Sequence, residues 1–304
     1  MSAADFAERL ALLRSAMQTL PDKPEETPEA TLRALWYLAV GRPMSAEVAS
    51  HLSAEALPVL DTAQDAQLAA LIAQRLTGIP LAHLTGRQTF MGLEMLAGPQ
   101  ALIPRRETEL LARAALAHLR EMASPRVIDV CTGSGNLALA MAQGMPTARV
   151  WGADLSPEAV ALAEANARRL GLSDRVQWRC GDLLAPFDGG THHADAADFL
   201  GHTDLLLCNP PYISSGKLGS MPAEIVQHEP TLAFDGGPFG IRILQRLMKD
   251  APRFLRSGGW LGLEVGLGQG PAVQQWLART GQFALPQAVL DDHGQVRSLL
   301  AQRL

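Results

Sequence analysis

Phe6, Leu10, Leu13 and Met17 recur at three- and four-residue spacings, so the first segment predicts a helix with one buried stripe. PDKPEETPEA interrupts that stripe with proline and charge, and Thr27 or Thr31 is placed to open the next helix. LRALWYLAVG closes on Gly41, a residue suited to a helix C-cap. The longest helical pattern runs from Ala63 to Leu76 and stops at Thr77-Gly78. From Ile79 to Pro104 the character is mixed, and TFMGLEMLAG alternates like a short hairpin.

Beyond Pro125 the period changes. VIDVC, VWGADL, VQWRCGDL, DLLLCNPP and WLGLEVG read as strands, the last beginning after a Gly258-Gly259 turn. NLALAMAQGM and PEAVALAEANARRLG read as helices between the first three, with Pro157 in a first turn. Strands alternating with helices of about ten to fifteen residues predict an α/β fold with a mostly parallel, doubly wound sheet. QAVLDD and QVRSLLAQRL predict two closing strands around His293-Gly294, and residues 189–203 read as a loop.

Composition narrows the class. Of 304 residues, 47% are hydrophobic and 19% charged, which supports a real core and excludes a disordered chain. The N-terminus lacks the basic and apolar regions of a signal peptide, and no apolar run reaches about 18 residues. A cytoplasmic protein with no membrane partner is expected. Three cysteines, Cys131, Cys180 and Cys208, each end a strand, which suits a reducing compartment and reads as small buried hydrophobes. The net charge of −5 argues against a broad grip on nucleic acid. His192, His193 and His202 with Asp195 and Asp198 lack a fixed ligand spacing, so they read as a polar loop and no metal is expected. Arg105-Arg106 reads either as a contact to RNA or an acidic surface, or as a solvated or locally paired couple. Glu264 reads as polar core or pocket edge.

The chemistry concentrates in two loops. Asp129-Val-Cys131-Thr132-Gly133-Ser134-Gly135 joins a predicted strand to a predicted helix, where glycines let backbone approach a ligand. Asp154 ends the next strand, about 20 residues on, where a carboxylate can bind both ribose hydroxyls. Asp182 follows the third strand, toward an adenine. A third glycine is missing at Ala138 and no Lys-Ser/Thr follows Gly135, so neither a dinucleotide fingerprint nor a Walker loop is present. A smaller adenosyl ligand fits better. Cys208-Asn209-Pro210-Pro211-Tyr212 follows the fourth strand and faces the same crevice.

This second loop resembles the N-P-P-Y motif of amino-methyltransferases that use S-adenosyl-L-methionine. A planar amide or aryl-amine nitrogen is a poor nucleophile because its lone pair is delocalised. The Asn209 side-chain oxygen and the Pro210 carbonyl can accept its N–H bonds, the prolines stiffen the loop, and Tyr212 can pack on the planar group. GIPLAHLTGRQTFMGLEMLAGPQALIPRRETELL (78–111), HEPTLAFDGGPFGIRILQRL and GGWLGLEVGLGQGPAV resemble the bacterial protein-(glutamine-N5) methyltransferases, which modify the Gly-Gly-Gln glutamine of class I release factors or a glutamine of ribosomal protein L3.

The resemblance implies a Rossmann-like class I methyltransferase sheet over 105–304, with an antiparallel closing strand. It implies a helical substrate-recognition domain over 1–78 and a linker with a short hairpin over 79–104. Asp129, Cys131, Thr132, Gly133, Ser134 and Gly135 are expected to cradle the methionine part of the cofactor. Asp154 is expected at the ribose, and Asp182 with Leu183 at the adenine. Asn209, Pro210, Pro211 and Tyr212 are expected to hold the glutamine amide, with Asn209 also at the cofactor; Arg105, Glu107 and Glu109 are expected at the pocket rim. Cys131 stands where the family's first turn glycine falls, and Leu183 where an aromatic often covers adenine. IPRRETE resembles the release-factor branch, DVCTGSG and HEP the L3 branch. An adenine-N6 methyltransferase on DNA or RNA, a small-molecule methyltransferase and a non-catalytic binding protein of the same fold remain as alternatives. The charge and the lack of a basic insertion count against direct nucleic-acid binding.

Overall fold

The computed structural model describes residues 3–52, 57–189 and 199–304, which form two compact units. His192, His193, Asp195 and Asp198 lie outside the described residues. Among the described residues, no helix is long and apolar enough to cross a membrane, and no group of three His, Cys, Asp or Glu could hold a metal.

The first unit contains α1 (Ala3–Ala16), α2 (Pro28–Ala39), α3 (Ala46–Ser50), α4 (Thr62–Leu76), α5 (Leu81–Thr85) and the antiparallel pair β1 (Arg87–Phe90) and β2 (Leu93–Leu96). Thr27 starts α2 by accepting the Ala30 amide at 3.1 Å, and Asp61 with Gln64 makes a reciprocal capping box on α4. Leu32, Leu35 and Trp36 bury α2 at the centre, where it packs with the α1 and α4 stripes. The sequence pattern reads 79–104 as a linker. The structure instead assigns nearly all of it to this unit, because Phe90 and Met95 of the hairpin are fully buried.

The unit also takes in two segments distant in sequence, 103–106 and Pro222–Glu229. Charge explains why they belong. Arg75 bonds Glu26 at 3.2 Å and Glu224 at 2.9 Å, while Lys23, only 1% exposed, bonds Glu224 at 2.7 Å. Arg105 bonds Glu229 at 2.5 Å and Asp22 at 2.8 Å. Burial pushes the Glu26 carboxyl up to about 7 against the pull of Lys23 and Arg75.

The second unit begins with α6 (Thr108–Leu119) and continues β3 (Arg126–Val130), α7 (Asn136–Gly144), β4 (Arg149–Asp154), α8 (Pro157–Arg169), β5 (Val176–Cys180) and β6 (Thr203–Cys208). The chain then gives α9 (Ala223–His228) to the first unit and returns for α10 (Arg242–Phe254), β7 (Leu255–Glu264), α11 (Gly270–Arg279), β8 (Gln287–Leu290) and β9 (Val296–Gln302). The sheet order is β5-β4-β3-β6-β7-β9-β8; β9 runs antiparallel to both its neighbours, while the pairs from β5 across to β7 are parallel. This is the expected mostly parallel sheet with an antiparallel closing strand. Leu205, Leu206, Leu207 and Cys208 are all fully buried, as expected for a strand covered on both faces. Ile128, Val130, Leu206 and Leu263 pack with α10 and α11, whereas Leu207 packs near Leu111 of α6 over Gly262.

One strand differs from its sequence reading. β7 begins at Leu255, before the glycine pair, and its register with β6 jumps between Leu255 and Trp260. Gly258 has φ +76°, so the pair bulges the strand instead of turning the chain.

Replacing Arg75 with Met should destabilise the protein by about 3–5 kcal/mol in denaturant titration, because buried Glu26 and partly buried Glu224 lose their shared cation. The loss should shrink toward lower pH, where Glu26 takes up a proton. A loss below about 1 kcal/mol would show that the guanidinium does not hold these segments together.

Candidate active site

The chain reverses its lateral direction between β3 and β6: β4 and β5 lie on one side of β3, while β6 and β7 lie on the other. A crevice forms outside the carboxyl ends at such a switch point. Val130 pairs with Cys208 at the last register position, so the loops after β3 and β6 leave the sheet side by side.

The turn after β3 is built from inside. Cys131, Gly133 and Gly135 all have positive φ, at 57°, 54° and 84°. Gly135 is obligatory for a second reason: an added Cβ would lie 2.7 Å from the Trp178 ring and 3.0 Å from Ala163. The Thr132 amide bonds the Ala153 carbonyl, the Gly133 amide bonds Asp154 Oδ2 at 2.9 Å, and the Gly135 amide bonds the Thr132 carbonyl. Asn166 holds the Ser134 carbonyl at 3.0 Å. These bonds fix the turn before any ligand arrives.

Asp129 sits beneath it, fully buried. Its Oδ2 accepts the Thr132 hydroxyl at 2.5 Å and the Ala138 amide at 3.2 Å, while Oδ1 has no partner. Burial pushes this carboxyl up to about 7. Asp154 closes β4 with the Gly133 amide on Oδ2 and the Ser156 amide on Oδ1, the Leu155 amide also close by, and burial raises its pKa. An ionised carboxylate has about four acceptor positions, so these amides do not exhaust its capacity.

Asp182 and Leu183 follow β5. Asp182 is half-exposed and pairs with Arg246 of α10 at 2.6 Å; Leu183 is buried at φ +50°. Arg246 went unnoticed in the sequence because nothing local distinguishes it from the other charges of its helix.

The loop after β6 is tied at several points. Asn209 Nδ2 donates to Thr108 Oγ1 at 3.2 Å. The Tyr212 hydroxyl donates to buried Glu264 Oε1 at 3.1 Å. Gln269 Nε2 donates to the Tyr212 and Gly240 carbonyls, at 3.0 and 3.2 Å, while its Oε1 accepts the Gly266 amide. Gly240 packs so tightly on the Tyr212 carbonyl that any Cβ would overlap it. Pro210 is buried; Asn209, Pro211 and Tyr212 are partly exposed. Burial pushes Glu264 up to about 7, and burial with the Glu264 charge pushes Tyr212 well above its usual range.

Not every expected residue joins this group. Arg105 belongs to the helical unit, where Glu229, Asp22 and the Ile103 carbonyl engage its guanidinium. Arg106 is exposed. Glu107 bonds Arg297 at 2.7 Å and Glu109 bonds Arg113 at 2.7 Å. The cysteines also differ among themselves: Cys208 is fully buried, Cys131 partly, and Cys180, at the end of the edge strand β5, is exposed. Thr108, Glu264 and Gln269 lie within motifs already visible in the sequence, but their link to Asn209 and Tyr212 arises only from the sheet.

An Asp129→Asn variant tests the buried carboxyl. Asn keeps an oxygen for Thr132 and Ala138 and puts an amide where Oδ1 has no partner. A raised native pKa means the folded state loses stability as pH rises from the unfolded value of about 4 through about 7. The melting temperature of the variant, relative to the parent protein, should therefore climb between about pH 4 and about pH 7 and level off above it. A constant difference over that range would mean Asp129 does not titrate there.

A methyltransferase domain family matches residues 127–204. The chain is 41% identical to the release factor glutamine methyltransferase of Moorella thermoacetica over 76% of its own length and 78% of that protein. It is 39% identical to the release factor glutamine methyltransferase of Gloeobacter violaceus, over 74% and 75% of the two chains. Among solved structures, the hMettl16 catalytic domain in complex with MAT2A 3'UTR hairpin 1 is similar with TM-score 0.53 and 13% identity, covering 93% of this chain and 94% of that one, a likeness of fold. The resemblance carried by NPPY and IPRRETE is thus matched across three quarters of the chain, and the protein belongs to the release factor glutamine methyltransferase family.

Proposed function

We propose that the protein methylates the side-chain amide nitrogen of the glutamine in the Gly-Gly-Gln tripeptide of a peptide chain release factor, in the cytoplasm, with S-adenosyl-L-methionine as methyl donor. The observation that carries the reading is the Asn209–Tyr212 loop leaving β6 beside the glycine turn of β3, in a chain 41% identical to a release factor glutamine methyltransferase.

S-adenosylmethionine supplies a methyl group on a positively charged sulfur. The residues present fit it: a pre-tied turn at Cys131–Gly135 suits the methionine part, and the Asp154 carboxylate retains acceptor capacity for the ribose hydroxyls. Leu183 offers an apolar wall to the adenine, and Asp182 a carboxylate at its edge, shared with Arg246. Asn209 Oδ1 and the Pro210 carbonyl accept the two N–H bonds of the glutamine amide and aim its nitrogen at the methyl carbon. Pro210 and Pro211 hold that geometry with little entropy left to lose. Tyr212, fixed through Glu264, gives the planar amide a flat neighbour. Glu107, steadied by Arg297, shapes the rim.

As the nitrogen gains its methyl group it sheds one proton to water. Positioning supplies most of the acceleration, so no strong base is needed.

Labelled S-adenosylmethionine should be offered with a bacterial release factor, with ribosomal protein L3 and with duplex DNA, and the products mapped by mass spectrometry. The label should reach the Gly-Gly-Gln glutamine of the release factor. Label on L3 alone would move the substrate to the ribosomal branch, and label on adenine would overturn the protein-amide reading.

A further inference from the structure

An asparagine that must present its oxygen to a substrate has a problem of symmetry. Its amide is nearly the same shape either way round, and only its hydrogen-bond partners decide which end faces out. Catalysis as read above needs Oδ1 toward the glutamine N–H. In the structure Nδ2 points away and donates to Thr108 Oγ1 at 3.2 Å.

Thr108 alone does not enforce that choice, because a hydroxyl both donates and accepts. What removes the ambiguity is the group beyond it. Glu264 is only 1% exposed; its Oε1 takes the Tyr212 hydroxyl at 3.1 Å, while Oε2 has no partner of full hydrogen-bond geometry. The Thr108 hydroxyl lies within hydrogen-bonding reach of this carboxyl. Ionised, as it is above about pH 7, the carboxylate only accepts, so it draws the Thr108 proton toward itself. Thr108 Oγ1 then offers only lone pairs to Asn209. Turned the other way, Asn209 Oδ1 would meet those lone pairs with no proton between them.

We propose that Glu264, acting through Thr108, is a positioning residue that sets the orientation of the Asn209 side-chain amide. The Tyr212 bond makes the same carboxylate hold both ends of the NPPY loop. One buried acid thereby orders the element that grips the acceptor nitrogen. Glu107 and Arg297 also face this acid; the first opposes its ionisation and the second supports it. Glu264 touches neither end of the transferred methyl, so it acts on orientation and not on chemistry.

The inference rests on the release-factor reading, and the test separates the two. Methylation of a release factor is measured with the parent protein, Thr108→Val, Thr108→Ser and Glu264→Gln. Valine keeps the shape of threonine without its oxygen, so kcat should fall on the order of 10- to 100-fold, with the KM for S-adenosylmethionine within about twofold. Serine should restore most of the lost kcat. Glu264→Gln, which can present an amide as readily as an oxygen to Thr108, should lower kcat in the same direction without changing that KM. Should Thr108→Val not fold, Thr108→Ser and Glu264→Gln still decide: near-parent kcat for the first with a loss for the second supports the relay. A parent-like kcat in Thr108→Val or Glu264→Gln, or a serine variant as impaired as the valine one, overturns it. A parent protein that labels no release factor strikes the function reading instead.

Discussion

The pairing of Val130 with Cys208 is the constraint on which the catalytic unit turns. It places β3 beside β6 at the point where the sheet changes direction, so two loops far apart in sequence emerge next to each other. Each loop alone is ordinary. A glycine turn at a strand end is common, and a proline pair after a strand is a plain way to stop it. Side by side they give the proposed reaction a surface for an adenosyl group and acceptors for an N–H donor.

Around that junction the protein spends unusual polar groups. Asp129 and Glu264 are buried acids whose pKa values burial lifts to about 7, one under each loop. Burying a carboxyl is unfavourable unless its partners compensate. Both acids reach a threonine hydroxyl: Asp129 holds Thr132 in the first loop, and Glu264 faces Thr108 behind the second. The helical unit uses charge differently. There Lys23, Arg75 and Arg105 gather acids from α9 and its flanks, which fixes the segment that follows NPPY in sequence.

Much of this was legible in the residues. The change from helical to strand periodicity near Pro125 marked the sheet, and short runs such as DLLLC marked its strands. NPPY pointed to an amide or amine acceptor because its chemistry is local: two acceptors and two stiff residues in a row. The partners of Arg105, Asp22 and Glu229, were hidden because they lie far away along the chain, and sequence spacing carries no trace of them. Gly258-Gly259 was misread for a related reason, since a glycine pair serves a bulge as well as a turn and only β6 decides between them. Glu264 read in LEVG as polar core or pocket edge, and its partners stayed hidden because they come from α6 and the NPPY loop.

The central claim is that the Asn209 side chain grips the acceptor nitrogen and is not chiefly a cofactor ligand. Single-turnover methyl transfer by Asn209→Ala, set beside calorimetric binding of S-adenosylmethionine, tests it most directly. The Asn209→Ala rate should be lower by at least ~10²-fold, with cofactor affinity within about fivefold of the parent. A near-parent rate on the release factor, or a loss explained wholly by weaker cofactor binding, would contradict it.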